Sequence, residues 1–492
     1  MSETPLEGVP PSPHPLARLA HPGTVRARCA AITRSVANNV STHFTLDRSQ
    51  LPAAAERVAA LTLRRYPDLN IPCHSRWRHF EAGDVDRKAE FDALLAGRSV
   101  AEMARARFDL TVLSVLLGAG AGGRWSYAER HEVAAAALPV QRHASDELLA
   151  LLDRAAKGPA AAAAGIPNDG RDDSPHDTAT TGPAPAPAAA PARAQSGADA
   201  GGVYARSEGL AVASLRAFVA GVFSASKSDP LRADATTLKL VDAAVLRGVF
   251  QVAPANPMVG LEGRAGLVSR LGDVLAAEAA RSGLQARPGL LYDQLTAGGT
   301  RTEVSAAEVL GAVLRVLSPI FTSGSRVQGL PAGDAWPHRW AGAAVGGNTI
   351  DTTTDGWVPL HKLGQWLSYS LVEPLQWAGV QVTGIDALTG LPEYRNGGLL
   401  IDCGVIVPRD ARDLARTWKP GDEFIVEWRA LTVTLLDELA TLVRARLGKT
   451  AAELPLACIL EGGTWAAGRA IAAELRSDGA PPLTIDSDGT VF

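Results

Sequence analysis

Several features that would announce a function are missing from this sequence. Only four cysteines occur in 492 residues. Cys29, Cys73, Cys403 and Cys458 stand far apart with no CxxC pair, which argues against a disulfide framework and a structural zinc. A reduced, cytoplasmic chain is the expectation. A net charge of -4, with no block of Lys and Arg, removes the electrostatic footprint of a nucleic-acid binder. No run of about 18 apolar residues is present to cross a bilayer. The opening MSETPLEGVPPSPHPLARL has no apolar signal core and reads as a disordered lead-in. No phosphate loop ends in Gly-Lys-Ser/Thr. The glycines of 118–123 follow a helical pattern rather than a strand and open no second helix, so they make no dinucleotide fingerprint.

Helical periodicity is plentiful. Apolar residues recur at helical spacing over Val25–Val40, Pro52–Tyr66, Ala101–Leu117, Leu231–Val249, Glu303–Leu317 and Glu427–Leu447. Further helices are expected from Ser207 to Val222 and from Val259 onward, and strand signals are short and scattered. The fold class is therefore mainly α, a single helical unit with short strands. Residues 158–202 are Ala, Pro, Gly, Asp and Thr with almost no large apolar side chain, a composition too poor in apolar surface to offset the entropy of ordering. The expected organisation is a lead-in over 1–24, helical parts over 25–157 and 203–492, and a disordered insertion over 158–202 between them. The site is expected in the second helical part.

The chemistry concentrates between Trp357 and Asp410. Leu360, Leu363, Leu367 and Leu371 mark a core-facing stripe. Lys362, Gln365, Trp366, Tyr369 and Glu373 share the other side, and aromatics between charges suggest a face turned toward a pocket. Glu393, Tyr394 and Arg395 follow in an expected loop beside Asn396-Gly397-Gly398, placing an acid, a phenol and a guanidinium together. The bland alternative is a surface helix and a loop salt bridge. Asp386 and Asp402 are the nearest substitute acids. Upstream, His74, Arg76, Arg78 and His79 surround Trp77 and are candidates for an anion site, against the plainer reading of a loop packed by Trp77. The five-residue step between the two histidines suits a metal poorly. Glu461-Gly462-Gly463-Thr464 is expected at the start of the last helix, where free N–H groups attract anions.

The stretches YARSEGLAVASL, NPMVGLEGRAGL, RPGLLYDQL, VPLHKLGQWLSYSLVEPL, LTGLPEYRNGGLLID, LEGGTWAAGR and SDGTVF together resemble one family of bacteria and fungi. Its fungal members, the URC/URG group, belong to a uracil-catabolic pathway. That resemblance implies a route through a ribosyl-urea species that releases urea. A shorter resemblance is to the queuosine-salvage nucleosidases, helical proteins related to DNA glycosylases. These carry a Lys-x-x-Gln helix followed by an acid-Tyr-Arg motif, matched here by Lys362, Gln365, Glu393, Tyr394 and Arg395. Glu393 stands where that family has Asp, and Asn396-Gly397-Gly398 replaces its Pro-containing continuation.

Together the resemblances imply hydrolysis of an N-glycosidic bond in a small-molecule substrate, a (phospho)ribosyl-urea. Such a reaction passes an oxocarbenium-like centre and calls for a carboxylate, a positioned water and a donor for the urea group. Glu393, Tyr394 and Asp402 are the expected catalytic groups. Lys362, Gln365, Arg395, His361, Trp366, Tyr369, Arg76 and Arg78 are the expected substrate contacts. No cofactor, metal, nucleic acid or membrane is called for, and nothing sets an oligomeric state. The competing readings are an amidohydrolase acting on an open-ring ureido product and a non-catalytic partner of a pathway enzyme. Cys403 lies in an apolar run and His361 stands in no triad-like arrangement with the motif, which counts against the amidohydrolase.

Overall fold

The computed structural model describes residues 16–118, 120–129, 202–321, 325–342 and 354–486. Its axis is the helix Glu423–Leu447, which buries Trp428, Arg429, Leu431, Leu435 and Leu439 among others. Helices Pro22–Ala37 and Leu51–Arg65 pack along it. Lys362–Trp377 lies between Val100–Leu116 and Ala306–Leu317, and Tyr394–Asp402 packs on Trp465–Leu475. One buried apolar cluster runs from Val36 to Ile485, so the parts before and after residue 202 share a core. The protein is one helical unit. Among the described residues no helix is long and apolar enough to cross a membrane.

Strands occur only as six two-stranded ribbons among the described residues. Three of them fix helix starts. Ala335–Pro337 pairs with Trp357–Pro359 just before the Lys362 helix. Val203–Ala205 pairs with Ser126–Ala128 before Arg206–Val219. Glu303–Ser305 pairs in parallel with Gln381–Thr383 before Ala306–Leu317, which Ser305 and Glu308 close with a reciprocal capping box.

Several boundaries differ from expectation. The first helix begins at Pro22 and Leu19 is already buried, so ordered chain reaches into the expected lead-in. The remainder of that lead-in, and the insertion over 158–202 apart from Gly202, lie outside the described residues. Leu231–Val249 is two short helices, Ala235–Leu238 and Ala243–Val249, with Asp242 capping the second. The irregular stretch after Asn70 holds a five-residue helix, Arg76–Phe80. Residues 460–464 do not open the last helix. They form a π-helical turn joining Leu456–Ile459 to Trp465–Leu475, which leaves no free N–H cradle for an anion there.

Candidate functional site

A buried ion pair sets the geometry. Arg429, fully buried on the axial helix, grips Asp334 with both terminal nitrogens at 2.7 and 2.6 Å. Asp334 in turn accepts from Trp336 Nε1 at 2.7 Å and from the backbone N–H of Lys362 at 3.0 Å. Its backbone carbonyl accepts from the N–H groups of Leu360 and His361. Burial alone would raise the Asp334 pKa, but Arg429 and these donors outweigh it, and the group stays below its ordinary value. Arg429 Nε reaches the Pro392 carbonyl at 3.4 Å, one residue before Glu393. One pair therefore holds the start of the Lys362 helix and the approach to the Tyr394 helix.

Glu393 is not in a free loop. It is the N-cap of Tyr394–Asp402, where its carboxylate accepts from the N–H groups of Arg395 at 2.9 Å and Asn396 at 2.6 Å. Asn396-Gly397-Gly398, expected to be flexible, are buried inside that helix. A Cβ on Gly397 would stand 2.4 Å from the Trp428 ring, so close helix contact, rather than mobility, requires glycine there. Lys362 lies within electrostatic reach of the Glu393 carboxylate. Its ammonium makes no hydrogen bond or ion pair among the described residues and stands beside the Trp366 ring. Burial lowers its pKa, Glu393 is the strongest opposing influence, and Arg429 and Arg76 add to the lowering. The ammonium lies 6.0 Å from the Trp366 ring centre, and the Arg76 guanidinium 5.1 Å from the same ring. Burial pushes the Tyr394 phenol up to about 12. Arg395 is lowered by burial and by the nearby Arg206, Arg469 and Arg476, with Glu393 opposing. It donates to the Gly479 carbonyl at 3.0 Å.

Lys362 thus lies near Trp366 and within electrostatic reach of Glu393, which Tyr394 and Arg395 follow in the chain, while the other expected residues are engaged within the protein. Gln365 accepts from the Thr389 N–H at 3.3 Å, and the fully buried Tyr369 hydroxyl donates to the Thr389 carbonyl at 3.1 Å. Both hold the segment leading to Glu393. His361 caps its helix in a left-handed conformation (φ 44°), with Nε2 3.0 Å from the Leu19 carbonyl. The crevice beside it measures about 10 Å³, room for a water at most. Arg76 is fully buried, its guanidinium taken up by the Ser114 hydroxyl and carbonyl and the Ser207 carbonyl. Arg78 pairs with Glu81 at 2.8 Å and Glu373 at 2.6 Å. Asp402, at the far end of its helix, forms a two-pronged ion pair with Arg476.

The comparisons with known proteins bear on the whole chain. A family model described as "Protein of unknown function (DUF1688)" matches residues 18–142 and 189–492. The chain belongs to this family. "Protein urg3" of Schizosaccharomyces pombe is 31% identical over 485 residues, covering 97% of this chain and 99% of its own. "Uracil catabolism protein 4" of Lachancea kluyveri is 33% identical over 477 residues, 92% of each chain. Between the two matched spans, residues 143–188 are unmatched, a segment that overlaps the Ala/Pro-rich stretch 158–202.

The clamp and a second cluster within the family match carry little signal in sequence. Asp334 sits in Asp-Ala-Trp-Pro-His, a motif without a chemical signature of its own, and Arg429 lies with Glu427 in the apolar stretch of a long helix. Those charges were a usable signal, because a charge amid Val, Trp, Ala and Leu needs a buried partner. Glu461, on the π-helical turn, holds His74 Nδ1 at 2.8 Å and Arg65 at 3.1 Å. His74 is therefore engaged by a carboxylate of the protein itself rather than left for an external anion.

Proposed function

We propose that this protein acts in uracil catabolism, as the name "Uracil catabolism protein 4" of one relative suggests, and that it hydrolyses the N-glycosidic bond of a ribosyl-urea or its 5'-phosphate, releasing urea. The observation that carries this reading is the Lys362 ammonium, left without an ion-pair partner among the described residues and within electrostatic reach of the Glu393 carboxylate, each at the start of its helix. Glu393 has its orientation fixed by two backbone N–H groups, and each oxygen keeps a further lone pair. That suits a carboxylate that orients water and stabilises positive charge developing at the sugar carbon. Lys362 supplies the donor that a poor leaving group such as urea requires, and its lowered pKa favours proton transfer. Trp366 offers an apolar wall. Arg395, with Arg206 and Arg469 near it, is the place for a phosphate. A thiol-dependent amidohydrolase finds less support, since burial pushes the Cys403 thiol up to about 11 and thiolate is the reactive form.

The test is direct. Purified protein is incubated with synthetic ribosyl-urea and ribosyl-urea 5-phosphate, and urea is assayed. Glu393→Gln keeps the shape and one acceptor of the cap, so the fold should survive while turnover falls about 100-fold or more. No urea from either substrate, or undiminished turnover in the folded variant, would refute the assignment.

A further inference from the structure

A second polar cluster lies across Trp366 from Lys362, and the hydrolysis reading does not use it. Its centre is Glu461 on the π-helical turn, an interruption of helical pairing that frequently marks functional sites. Glu461 is 8% exposed. One carboxylate oxygen meets Arg65 at 3.1 Å and the Tyr66 hydroxyl at 3.3 Å, and the other meets His74 Nδ1 at 2.8 Å. Burial would raise the Glu461 pKa, but the bond from His74 and the nearby cations hold it down at about 2. An ionised carboxylate only accepts, so the hydrogen sits on Nδ1 of His74, and Nε2 is the ring nitrogen left without a protein partner. His74 is 7% exposed, and its Nε2 makes no hydrogen bond among the described residues. The ring lines a cavity of about 120 Å³ together with Arg65, Arg78, His79, Glu208 and Trp465.

The charges around this cavity are already paired. Arg65 is held by Glu461 and by the carbonyls of Glu461 and Gly462. Arg78 is held by Glu81 and Glu373, and Glu208 faces Arg469 at 3.4 Å. An incoming anion would have to compete with protein carboxylates for the terminal nitrogens of Arg65 and Arg78, whereas the buried Arg78 Nε has no partner. His79 adds no charge, because burial lowers its pKa to about 3. Its ring stands edge-on to Trp366 at 6.0 Å and to Trp465 at 6.5 Å, so the walls are aromatic. The volume falls below the roughly 300–1,000 Å³ of pockets for drug-sized ligands, which fits a small group or one end of a larger molecule.

We propose that this cavity binds a small, uncharged, planar group bearing N–H donors, such as a ureide or the edge of a pyrimidine ring, with His74 Nε2 as the acceptor and Trp465 as the wall. The inference uses neither Lys362 nor Glu393 nor Arg395, so it stands or falls separately from the hydrolysis reading. Isothermal titration calorimetry of the full chain tests it with four probes: uracil, N-methylurea, tetramethylurea and inorganic phosphate. Uracil and N-methylurea should bind and displace one another. Tetramethylurea, which has no N–H, should not bind, and phosphate should not compete. His74→Gln, whose amide does not hold an acceptor where the ring's Nε2 lies, should weaken both ligands about tenfold or more. Trp465→Leu leaves the His74–Glu461 bond intact and should weaken them also, which keeps the test decisive if His74→Gln does not fold. The proposal is overturned if neither N–H probe binds, if tetramethylurea binds equally well, if phosphate displaces uracil, or if the folded variants bind with wild-type affinity.

Discussion

Asp334→Asn removes one charge from the clamp while keeping the side chain's shape, and it separates two views of that clamp. As an exposed pair it would contribute at most about 1 kcal/mol. Both partners are withdrawn from water, however, with side chains 0% exposed for Arg429 and 9% for Asp334. The variant leaves a guanidinium buried without its counter-charge, and its new amide N–H₂ points at another donor. Breaking such a pair on one side costs about 3–5 kcal/mol. Because Asp334 also holds Trp336 Nε1 and the Lys362 N–H, the upper half of that range is expected. Urea unfolding followed by tryptophan fluorescence reads the loss, and the chain's 10 tryptophans provide the signal. Adding Arg429→Met should recover part of it, since the double variant no longer buries a lone charge. The pH dependence has a definite sign. A carboxylate whose folded pKa lies below the ordinary 3.8 gives stability that is present above that value and lost as pH falls through the folded one. The gap between wild type and Asp334→Asn should therefore close in acid. A loss under 1 kcal/mol with strictly additive single and double variants would refute the clamp.

Other expectations follow from the same geometry. A Cβ on Gly468 would stand 2.0 Å from the Arg395 carbonyl oxygen, a backbone atom that cannot swing away, so Gly468→Ala should cost about 1–3 kcal/mol and impair urea release by shifting Arg395. Gly311, inside Ala306–Leu317, gives the opposite sign, because a Cβ there would meet nothing within 4 Å: Gly311→Ala should stabilise by about 0.5–1 kcal/mol in the same unfolding assay. Glu461, held at about 2 against an ordinary 4.5, contributes on the order of 3 kcal/mol that is present above pH 4.5 and lost as pH falls toward 2. Acid titration of wild type against Glu461→Gln should show the two curves converging over that window. Asp402→Asn should lower stability by loosening Arg476 and leave urea turnover unchanged, which assays of both quantities on one preparation would reveal.

What is legible in the sequence follows from how each signal is written. Helices such as Val100–Leu116 and Glu423–Leu447 are readable because long apolar periodicity is a local property. Glu303–Ser305 reads as helix in isolation because its preference is decided by Gln381–Thr383, far along the chain. The motif residues are visible in sequence, whereas their surroundings are not. Glycines 397 and 398 have the look of a flexible loop, although they are where one helix lets Trp428 and Pro482 approach. The aromatic and polar face of Lys362–Trp377 suggests a pocket lining throughout. Lys362 lies within electrostatic reach of Glu393, whereas Gln365 and Tyr369 fix Thr389.

The same helix starts explain why the candidate site depends on residues that carry no motif. The first turn of a helix leaves N–H groups without intrahelical partners. Glu393 answers two of them at one start, and Asp334 answers the Lys362 N–H at the other. A carboxylate and an ammonium are thereby brought within electrostatic reach by backbone geometry instead of by a bond to each other. Arg429 is common to both, reaching Asp334 on one side and the Pro392 carbonyl on the other. Were Lys362 and Glu393 joined in a direct ion pair, each would satisfy the other and neither would be available to a substrate. Holding them on separate helix starts, tied through one buried Arg, leaves the ammonium without a bonded partner among the described residues.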